Sequence, residues 1–257
     1  MVFKYSYKIY YTKHNLTFLE KISENLYRSF VNRYVDSMIT IGDTHKKQML
    51  ELGIREEKIT VIQNGTDIKQ FYFNSHYLKE DKKLKIGIVA RLSKEKNHKL
   101  FLEIVEVLQK RNNIEFEALI AGDGPLKEEI EKTILDKNLN VKMLGNVSEP
   151  QNFLSEIDIS MIVSEREVFP MAIIESMAVG AIMVSVDVGG IKDVVINNFS
   201  GYLLTGYNHQ KFADVIEKIA VNRNENINII KNARQLVENN FELSIMIKKI
   251  EKLYIGG

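Results

Sequence analysis

The chain has 257 residues, of which 45% are apolar and 27% charged, as expected for a globular protein of one or two domains. Its formal net charge of +1 gives no support for a nucleic-acid partner, and the absence of cysteine excludes disulfides and thiolate metal sites. No apolar run reaches the roughly 18 residues of a membrane span, so the expected location is the cytoplasm.

The first part of the chain alternates short apolar runs with amphipathic stretches. Strands are predicted at residues 8–12, 37–42 and 58–65, with helices at residues 16–34 and 44–52 between them. Three parallel strands and two helices are about half of a nucleotide-binding-type domain. The first strand would then have an open edge, which indicates a truncated α/β domain.

A longer alternation of strands and helices begins near Leu84. Strands are predicted at residues 85–90, 116–122, 141–145, 158–164, 182–186 and 202–204. Helices are predicted at residues 98–110, 125–138, 150–156 and 170–179, and again from residues 191 and 210. Continuous apolar strands between helices indicate a doubly wound parallel sheet, an α/β fold that binds ligands at the carboxyl ends of its strands.

The most informative local pattern is SEREVFPMAIIESMAVG at residues 164–180. A strand ends, a loop presents Glu167, and the following helix carries Glu175 in its second turn. A carboxylate accepts two hydrogen bonds, so Glu175 can bind both hydroxyls of a ribose and Glu167 the hydroxyls of a sugar. The helix begins with backbone N–H groups that suit a phosphate, those of Phe169, Met171 and Ala172. Two glutamates at this spacing also arise by chance in a solvated loop and helix.

A second pattern, ARLSKEKNH, follows the strand at residues 85–90. Arg91 and Lys96 lie where a parallel sheet holds its ligand, and two fixed cations stabilise the charge that develops on a departing diphosphate. Taken alone, the same residues also fit a solvated basic loop. His14 ends the first strand; a single histidine is more often structural, but its position makes it a candidate.

Two glycine turns complete the pattern. In AGDGPL, Gly122 and Gly124 permit close backbone approach, and the spacing lacks the GxGxxG fingerprint of a dinucleotide site. In DVGGIKDVV, Gly189 and Gly190 form a tight turn that either approaches a ligand or simply connects two elements. The five histidines show no metal-binding spacing.

In this order, the segments resemble glycosyltransferase family 4, whose members have the two-domain GT-B fold. The family elements R-L-x-x-x-K, G-x-G-P, E-x7-E and V-G-G match residues 91–96, 122–125, 167–175 and 188–190, and its interdomain N-G-V-D matches residues 64–67. The family usually has glycine at three positions where this chain has Ala90, Asn97 and Val168, and a β-branched residue resists positive φ.

The resemblance implies retaining transfer of a sugar from a nucleotide diphosphate sugar, with a UDP-sugar as the expected donor and no metal or other cofactor. It places Arg91 and Lys96 at the diphosphate and Glu175 at the ribose. Glu167 would contact the donor sugar, and Val147 would contact the base through its backbone.

The resemblance also implies a domain organisation. Residues 1–70 would be the remnant of an N-terminal acceptor-side domain in which His14 faces the transferred sugar, and residues 71–83 would be a linker. Residues 84–238 would form the nucleotide-sugar-binding domain, and residues 239–257 a terminal helix that crosses back. The family normally has roughly 100 further residues before the first strand, a piece of domain size.

Three functions therefore stand as hypotheses. The first is an active transferase of cell-envelope polysaccharide synthesis, using a saccharide or lipid-linked acceptor, in the cytoplasm or peripherally at the inner face of the membrane. Its missing half would come from a separate N-terminal polypeptide, from a longer native chain or from a dimer. The second is a non-catalytic nucleotide-sugar-binding remnant or subunit. The third, a sugar-nucleotide epimerase of the same fold, is disfavoured by the R-L-x-x-x-K and E-x7-E elements.

Overall fold

The computed structural model describes residues 8–14, 20, 22–74 and 83–255, apart from two side chains, those of residues 223 and 224. Part of the predicted helix at residues 16–34 and most of the predicted linker lie outside these residues. The chain divides into two compact units. We call Met1–Asn64 with Met246–Gly257 the small unit and Gly65–Ile245 the large unit.

The strands follow the predicted order along the chain. They are β1 (Tyr10–Lys13), β2 (Ser37–Thr40), β3 (Ile59–Val61), β4 (Leu84–Val89), β5 (Phe116–Ala121), β6 (Val141–Gly145), β7 (Ile159–Ile162), β8 (Ile182–Val186) and β9 (Tyr202–Leu204). The helices are α1 (Glu24–Tyr34), α2 (Asp43–Glu51), α3 (His98–Arg111), α4 (Lys127–Asp136), α5 (Pro150–Ser155), α6 (Met171–Val179), α7 (His209–Val221), α8 (Arg223–Leu236) and α9 (Leu243–Ile255). The boundary between the units falls within α9, after Ile245.

The large unit is built on a six-stranded parallel sheet in the order β6-β5-β4-β7-β8-β9. Every residue of β7 and β8 is buried, as expected of central strands covered on both faces. The predicted doubly wound α/β fold is confirmed for this unit. The strand order reverses between β4 and β7, since β5 and β6 lie on one side of this pair and β8 and β9 on the other. In open α/β sheets, such a switch point is where ligands bind.

Helix α6 is held firmly at its carboxyl end. It ends at Gly180, whose φ of 94° gives the left-handed cap that glycine adopts without strain. Arg234 Nη1 donates to the carbonyl oxygen of Ala178 at 2.7 Å, which satisfies one of the free carbonyls of the last turn. Inside the helix, Ser176 Oγ donates to Ser160 Oγ of β7 at 2.8 Å. These contacts fix the position of α6 relative to the switch point.

The small unit contains a three-stranded parallel sheet in the order β1-β2-β3. Its central strand β2 is buried throughout, and its core comprises seven buried residues with Tyr11 and Leu52 packed against them. Helix α1 covers this core through Tyr27 and Val31. Among the described residues, β1 pairs on one side only, with β2.

Three predicted helices differ from the observed ones. The helix predicted over residues 16–34 is interrupted, because Ser23 is extended (φ −159°, ψ 113°) and its side chain caps α1. The helix predicted from residue 191 is only a 3₁₀ turn at Ile191–Asp193, since β-branched Val194 and Val195 are buried immediately after it. The terminal helix begins at Leu243, after a π-helical turn that ends at Phe241.

In the part of the chain that the structure describes, no helix combines the length and apolar character needed to cross a bilayer.

Candidate functional site

The loops that follow β4 and β7 meet at the switch point through an ion pair. Lys96 Nζ lies 2.6 Å from Glu167 Oε1, and the Glu167 side chain is only 9% exposed. The backbone reinforces the contact, because the N–H of Glu165 donates to the carbonyl oxygen of Glu95 at 2.8 Å. The structure thus brings together two of the residues that the sequence singled out.

The loop carrying Lys96 owes its shape to local side-chain chemistry. A 3₁₀ turn at Lys94–Lys96 ends at Asn97, which has a left-handed φ of 53°. Asparagine adopts this conformation more readily than most residues, so Asn97 can replace the usual glycine. Ser93 Oγ donates to Glu95 Oε1 at 2.6 Å, which lowers the pKa of that carboxyl.

Arg91 occupies the same loop with an exposed side chain. Its guanidinium makes no hydrogen bond or ion-pair contact with any residue that the structure describes. The neighbouring backbone is held by the turn after β5, where the N–H of Leu92 donates to the carbonyl oxygen of Asp123 at 2.9 Å. A Cβ on Gly122 (φ 148°) would overlap the carbonyl oxygen of Ala90, so only glycine allows this approach.

The turn after β8 packs in the same way against the Glu167 loop. A Cβ on Gly189 (φ 56°) would overlap the carbonyl oxygen of Glu167, and one on Gly190 would overlap that of Val168. Val168 itself is not among the described residues with positive φ. The β-branched side chain of Val168 is therefore accommodated without the backbone strain that was expected where the family usually has glycine.

Helix α6 begins beside this loop with unsatisfied backbone donors. Among the described residues, no acceptor contacts the N–H groups of Phe169, Met171 and Ala172, and no side chain caps the helix. The Phe169 ring is buried against Phe241, with ring centroids 5.8 Å apart. A helix start with free N–H groups attracts an anion.

Glu175 lies in the second turn of α6 and is half-buried. Burial raises the pKa of its carboxyl, and no hydrogen-bond or ion-pair partner is found for it within the described ranges. A carboxylate that is desolvated and lacks a donor is costly to keep charged, so a ligand that donates two hydrogen bonds would be bound favourably there.

Of the three remaining predicted residues, two lie in adjoining loops of the large unit and one lies in the small unit. Val147 is half-buried in the loop after β6, and this loop is joined to the turn after β5 by the Gly122 N–H, which donates to the carbonyl oxygen of Gly145 at 2.7 Å. Gly124 lies in that turn, close to the backbone of Leu92. His14 belongs to the small unit, where it follows β1 with an exposed side chain.

One residue beside the site was not singled out from the sequence. His98 is the first residue of α3 and is only 1% exposed, and among the described residues neither ring nitrogen has a hydrogen-bond partner. Burial, with a smaller contribution from Lys96, lowers its pKa to about 4. The sequence signal for its burial was the helical spacing of His98, Phe101 and Val105, which places the histidine on the apolar face of α3.

No group of three or more histidine and carboxylate side chains in the described part of the chain is arranged to hold a metal ion.

Comparison with solved structures shows the same fold in larger proteins. The Anabaena protein HepE in complex with UDP-glucose matches with a TM-score of 0.85 at 20% identity, over 97% of this chain and 72% of that one. Sucrose-phosphate synthase from Thermosynechococcus elongatus matches with a TM-score of 0.84 at 18% identity, over 98% of this chain and 68% of that one. The predicted fold class, an α/β protein of the GT-B type, is confirmed.

Curated relatives point to the same family. The capsular polysaccharide biosynthesis glycosyltransferase CapM of Staphylococcus aureus is 26% identical over 84% of this chain and 60% of its own length. The UDP-Gal:alpha-D-GlcNAc-diphosphoundecaprenol alpha-1,3-galactosyltransferase of Escherichia coli is 28% identical over 80% and 56%. The chain thus spans less than two thirds of the length of these relatives. The model of the family "Glycosyl transferases group 1" matches residues 68–236, and the chain belongs to this family.

Proposed function

We propose that this chain binds a UDP-sugar at the switch point of its large unit and transfers the sugar, with retention of configuration, to a saccharide or lipid-linked acceptor. The observation that carries the proposal is the meeting of the β4 and β7 loops through Lys96 and Glu167. Beside them begins a helix whose first N–H groups have no acceptor among the described residues. A basic group, a sugar-binding carboxylate and a phosphate-binding helix start are what a sugar diphosphate requires.

Charge supports the assignment of the diphosphate. Arg91 is a guanidinium without an ion-pair partner in the described part of the chain, and Lys96 is bound only to Glu167 there. A diphosphate at the start of α6 would offer both cations a stronger anion than one carboxylate. Glu175, half-buried and unpaired within the same ranges, would accept two hydrogen bonds from the ribose hydroxyls.

The proposed reaction exchanges one bond at the anomeric carbon for another. The bond to the diphosphate oxygen breaks, a bond to the acceptor oxygen forms on the same face, and the acceptor's proton leaves with the diphosphate. Arg91 and Lys96 stabilise the negative charge that grows on the leaving group. Glu167 orients the donor sugar, and the family resemblance assigns a catalytic role to His14.

Relatives support the nature of the substrates. The names of two of them specify capsular polysaccharide and an undecaprenol-linked acceptor, and the latter enzyme uses UDP-galactose. We extend this to a cell-envelope polysaccharide as the product and to the cytoplasm, including the inner face of the membrane, as the location.

The second candidate function is a nucleotide-sugar-binding subunit that transfers no sugar without a separate N-terminal polypeptide. The chain spans 60% of one curated relative and 55% of another. Both candidates require donor binding, and only the first requires turnover by this chain alone.

Calorimetric titration with UDP tests what the two candidates share. We expect binding by the unaltered chain and a loss of at least tenfold in affinity in Arg91→Ala. Lys132→Ala, which removes an exposed cation from α4, should bind UDP like the unaltered chain. If Arg91→Ala binds equally well, the diphosphate assignment is wrong. Release of UDP from a UDP-sugar, measured with this chain alone, then separates the enzyme from the binding subunit.

A further inference from the structure

The end of α8 and the turn that follows it contact helix α6, which carries Glu175. This stretch starts at Arg234 in the last turn of α8 and continues through the π-helical turn at Val237–Phe241. Val237 and Phe241 are 0% and 2% exposed, and the Arg234 side chain is 15% exposed. The three residues follow one another at intervals of three and four, so they lie on one face. We call residues 234–241 the bracket.

The bracket contacts both ends of α6. At the carboxyl end, Arg234 Nη1 donates to the carbonyl oxygen of Ala178 at 2.7 Å. Just before the amino end, the ring of Phe241 packs against the buried ring of Phe169, with centroids 5.8 Å apart. The later residue of the bracket thus meets the earlier end of α6, so the two segments run antiparallel. Contacts at both ends hold the helix against sliding along its axis.

Both contact points of the bracket are themselves fixed by hydrogen bonds. Arg234 Nε donates to Glu238 Oε1 at 2.6 Å, and its Nη1 also donates to the carbonyl oxygen of Phe71 at 3.0 Å. At the other end, the N–H of Thr66 donates to the carbonyl oxygen of Phe241 at 2.8 Å. A planar guanidinium with three acceptors has little freedom to turn. The bracket is therefore a rigid support for α6.

The position of α6 along its axis matters because the helix carries two parts of the proposed donor site. Its first N–H groups would meet the diphosphate, and Glu175 in the second turn would meet the ribose. Groups that bind one ligand jointly must be held to within about 0.5 Å of their productive positions. A shift of α6 would move both contacts at once relative to Arg91 and Lys96, which lie on a different loop.

We propose that Arg234 and Phe241 are positioning residues of the donor site. They set the position of α6 along its axis, so that its first turn and Glu175 fit a single nucleotide diphosphate. Arg234 acts through the Ala178 carbonyl and Phe241 through the Phe169 ring, and neither needs to touch the ligand. The inference rests on the proposed function. It agrees with the π-helical turn in the bracket, because such turns are rare and frequently occur at functional sites.

Calorimetric titration with UDP tests Arg234. In Arg234→Met the Ala178 carbonyl loses its donor, and we expect the affinity for UDP to fall about tenfold. Arg234→Lys should recover most of this loss, because an amine on a long side chain can still donate to one carbonyl. The matched control is Arg111→Met. It also removes a guanidinium with three side-chain acceptors, but these join α3 to α7, so UDP should bind as it does to the unaltered chain.

Phe241 provides a second, independent variant that tests the bracket even where Arg234→Met does not fold. Phe241→Leu removes the ring contact with Phe169 and should weaken UDP binding about fivefold. Phe116→Leu is its control, because it changes a buried ring at the start of β5, at the amino end of the sheet. This control should lose stability but keep its affinity for UDP. All titrations are made below the thermal unfolding transition of the least stable variant.

Hydrogen exchange of the unliganded chain gives a readout that does not depend on UDP. In Arg234→Met, the amides in the second turn of α6 should exchange faster than in the unaltered chain. The amides of β5 should exchange equally in both. In Arg111→Met, the amides of α6 should exchange as they do in the unaltered chain.

Two results would overturn the proposal. Unchanged affinity for UDP in Arg234→Met and Phe241→Leu would show that the bracket only supports the fold. Equal losses of affinity in the variants and their controls would attribute the effect to general destabilisation. Absence of UDP binding by the unaltered chain would instead reject the proposed function, and hydrogen exchange would still show whether the bracket holds α6.

Discussion

Lys96 and Glu167 are 71 positions apart in the sequence, yet Nζ of one lies 2.6 Å from Oε1 of the other. Their contact depends on the strand order of the large unit, which places β4 beside β7 and so brings the two following loops together. The pair links the expected diphosphate-binding loop to the expected sugar-binding loop.

This pair leads to a prediction about stability. Lys96→Met leaves the nearly buried Glu167 carboxylate without its cation, so the free energy of unfolding should fall by about 1–3 kcal/mol. Adding Glu167→Gln should recover most of that loss, because the unpaired charge is removed. Urea denaturation of the two single variants and the double variant measures the coupling. Lys99→Met, at an exposed position of α3, is the control; equal losses in both lysine variants would contradict the prediction.

Glu175 provides a test of the ribose assignment. Replacing the carboxylate with an amide of the same shape in Glu175→Gln should weaken UDP binding by about 1.5–3 kcal/mol, at least tenfold, through the loss of charged hydrogen bonds. The free energy of unfolding should not fall, because burial already disfavours the charged side chain. Calorimetry of this variant against Glu131→Gln, which alters an exposed residue of α4, measures the effect. Unchanged affinity would remove Glu175 from the site.

His98 predicts a dependence of stability on pH. The folded chain keeps this histidine neutral down to a pKa of about 4, whereas the unfolded chain protonates it near 6.5. The unfolded state therefore binds more protons between these values, and the free energy of unfolding should fall by up to about 3 kcal/mol as pH drops from 6.5 to 4.

Denaturation of His98→Leu at several pH values checks this expectation. Below pH 6.5, the free energy of unfolding of this variant should fall less than that of the unaltered chain. The exposed His209→Leu should decline like the unaltered chain. His45 is also buried with a pKa of about 4, so a residual decline is expected even without His98. An identical pH profile for His98→Leu and the unaltered chain would show that His98 does not contribute.

Gly189 and Gly206 form a matched pair for testing the close approach of the loops. Both have positive φ, but a Cβ on Gly206 would meet nothing within 4 Å, whereas one on Gly189 would overlap the Glu167 carbonyl oxygen. Gly206→Ala should cost only the left-handed strain, about 1–2 kcal/mol. Gly189→Ala should cost about 1–3 kcal/mol more, through displacement of the Glu167 loop. Thermal unfolding compares the two, and equal losses would show that the loop yields without strain.

Most elements of the large unit were predictable because their apolar pattern is strong. Strands β6, β8 and β9 have the predicted bounds, since each is a short apolar run limited by polar or turn-forming residues. The interruption before α1 was missed, because helical periodicity continues across Ser23 although its side chain caps a new helix. The turn at residue 191 was missed because apolar spacing does not distinguish a helix from a turn followed by buried valines.

For the site, the sequence predicted which loops carry polar residues but not how they pair. Lys96 and Glu167 were assigned to different parts of the donor, because their direct contact depends on which strands are neighbours. The hydroxyl pair of Ser160 and Ser176 was missed for the same reason, since its members lie on different elements. The roles of Arg91, Glu175 and His14 toward a ligand remain predictions.

A Cβ on Gly122 or Gly189 would overlap a neighbouring carbonyl oxygen, which has a practical consequence for any attempt to redesign the proposed donor site. In a saturation library, substitutions at these two positions would mostly destabilise the chain, because the loops can be stacked only where a side chain is missing. Diversity is better introduced at Val147 and Met171, which are at least partly exposed and leave that stacking untouched.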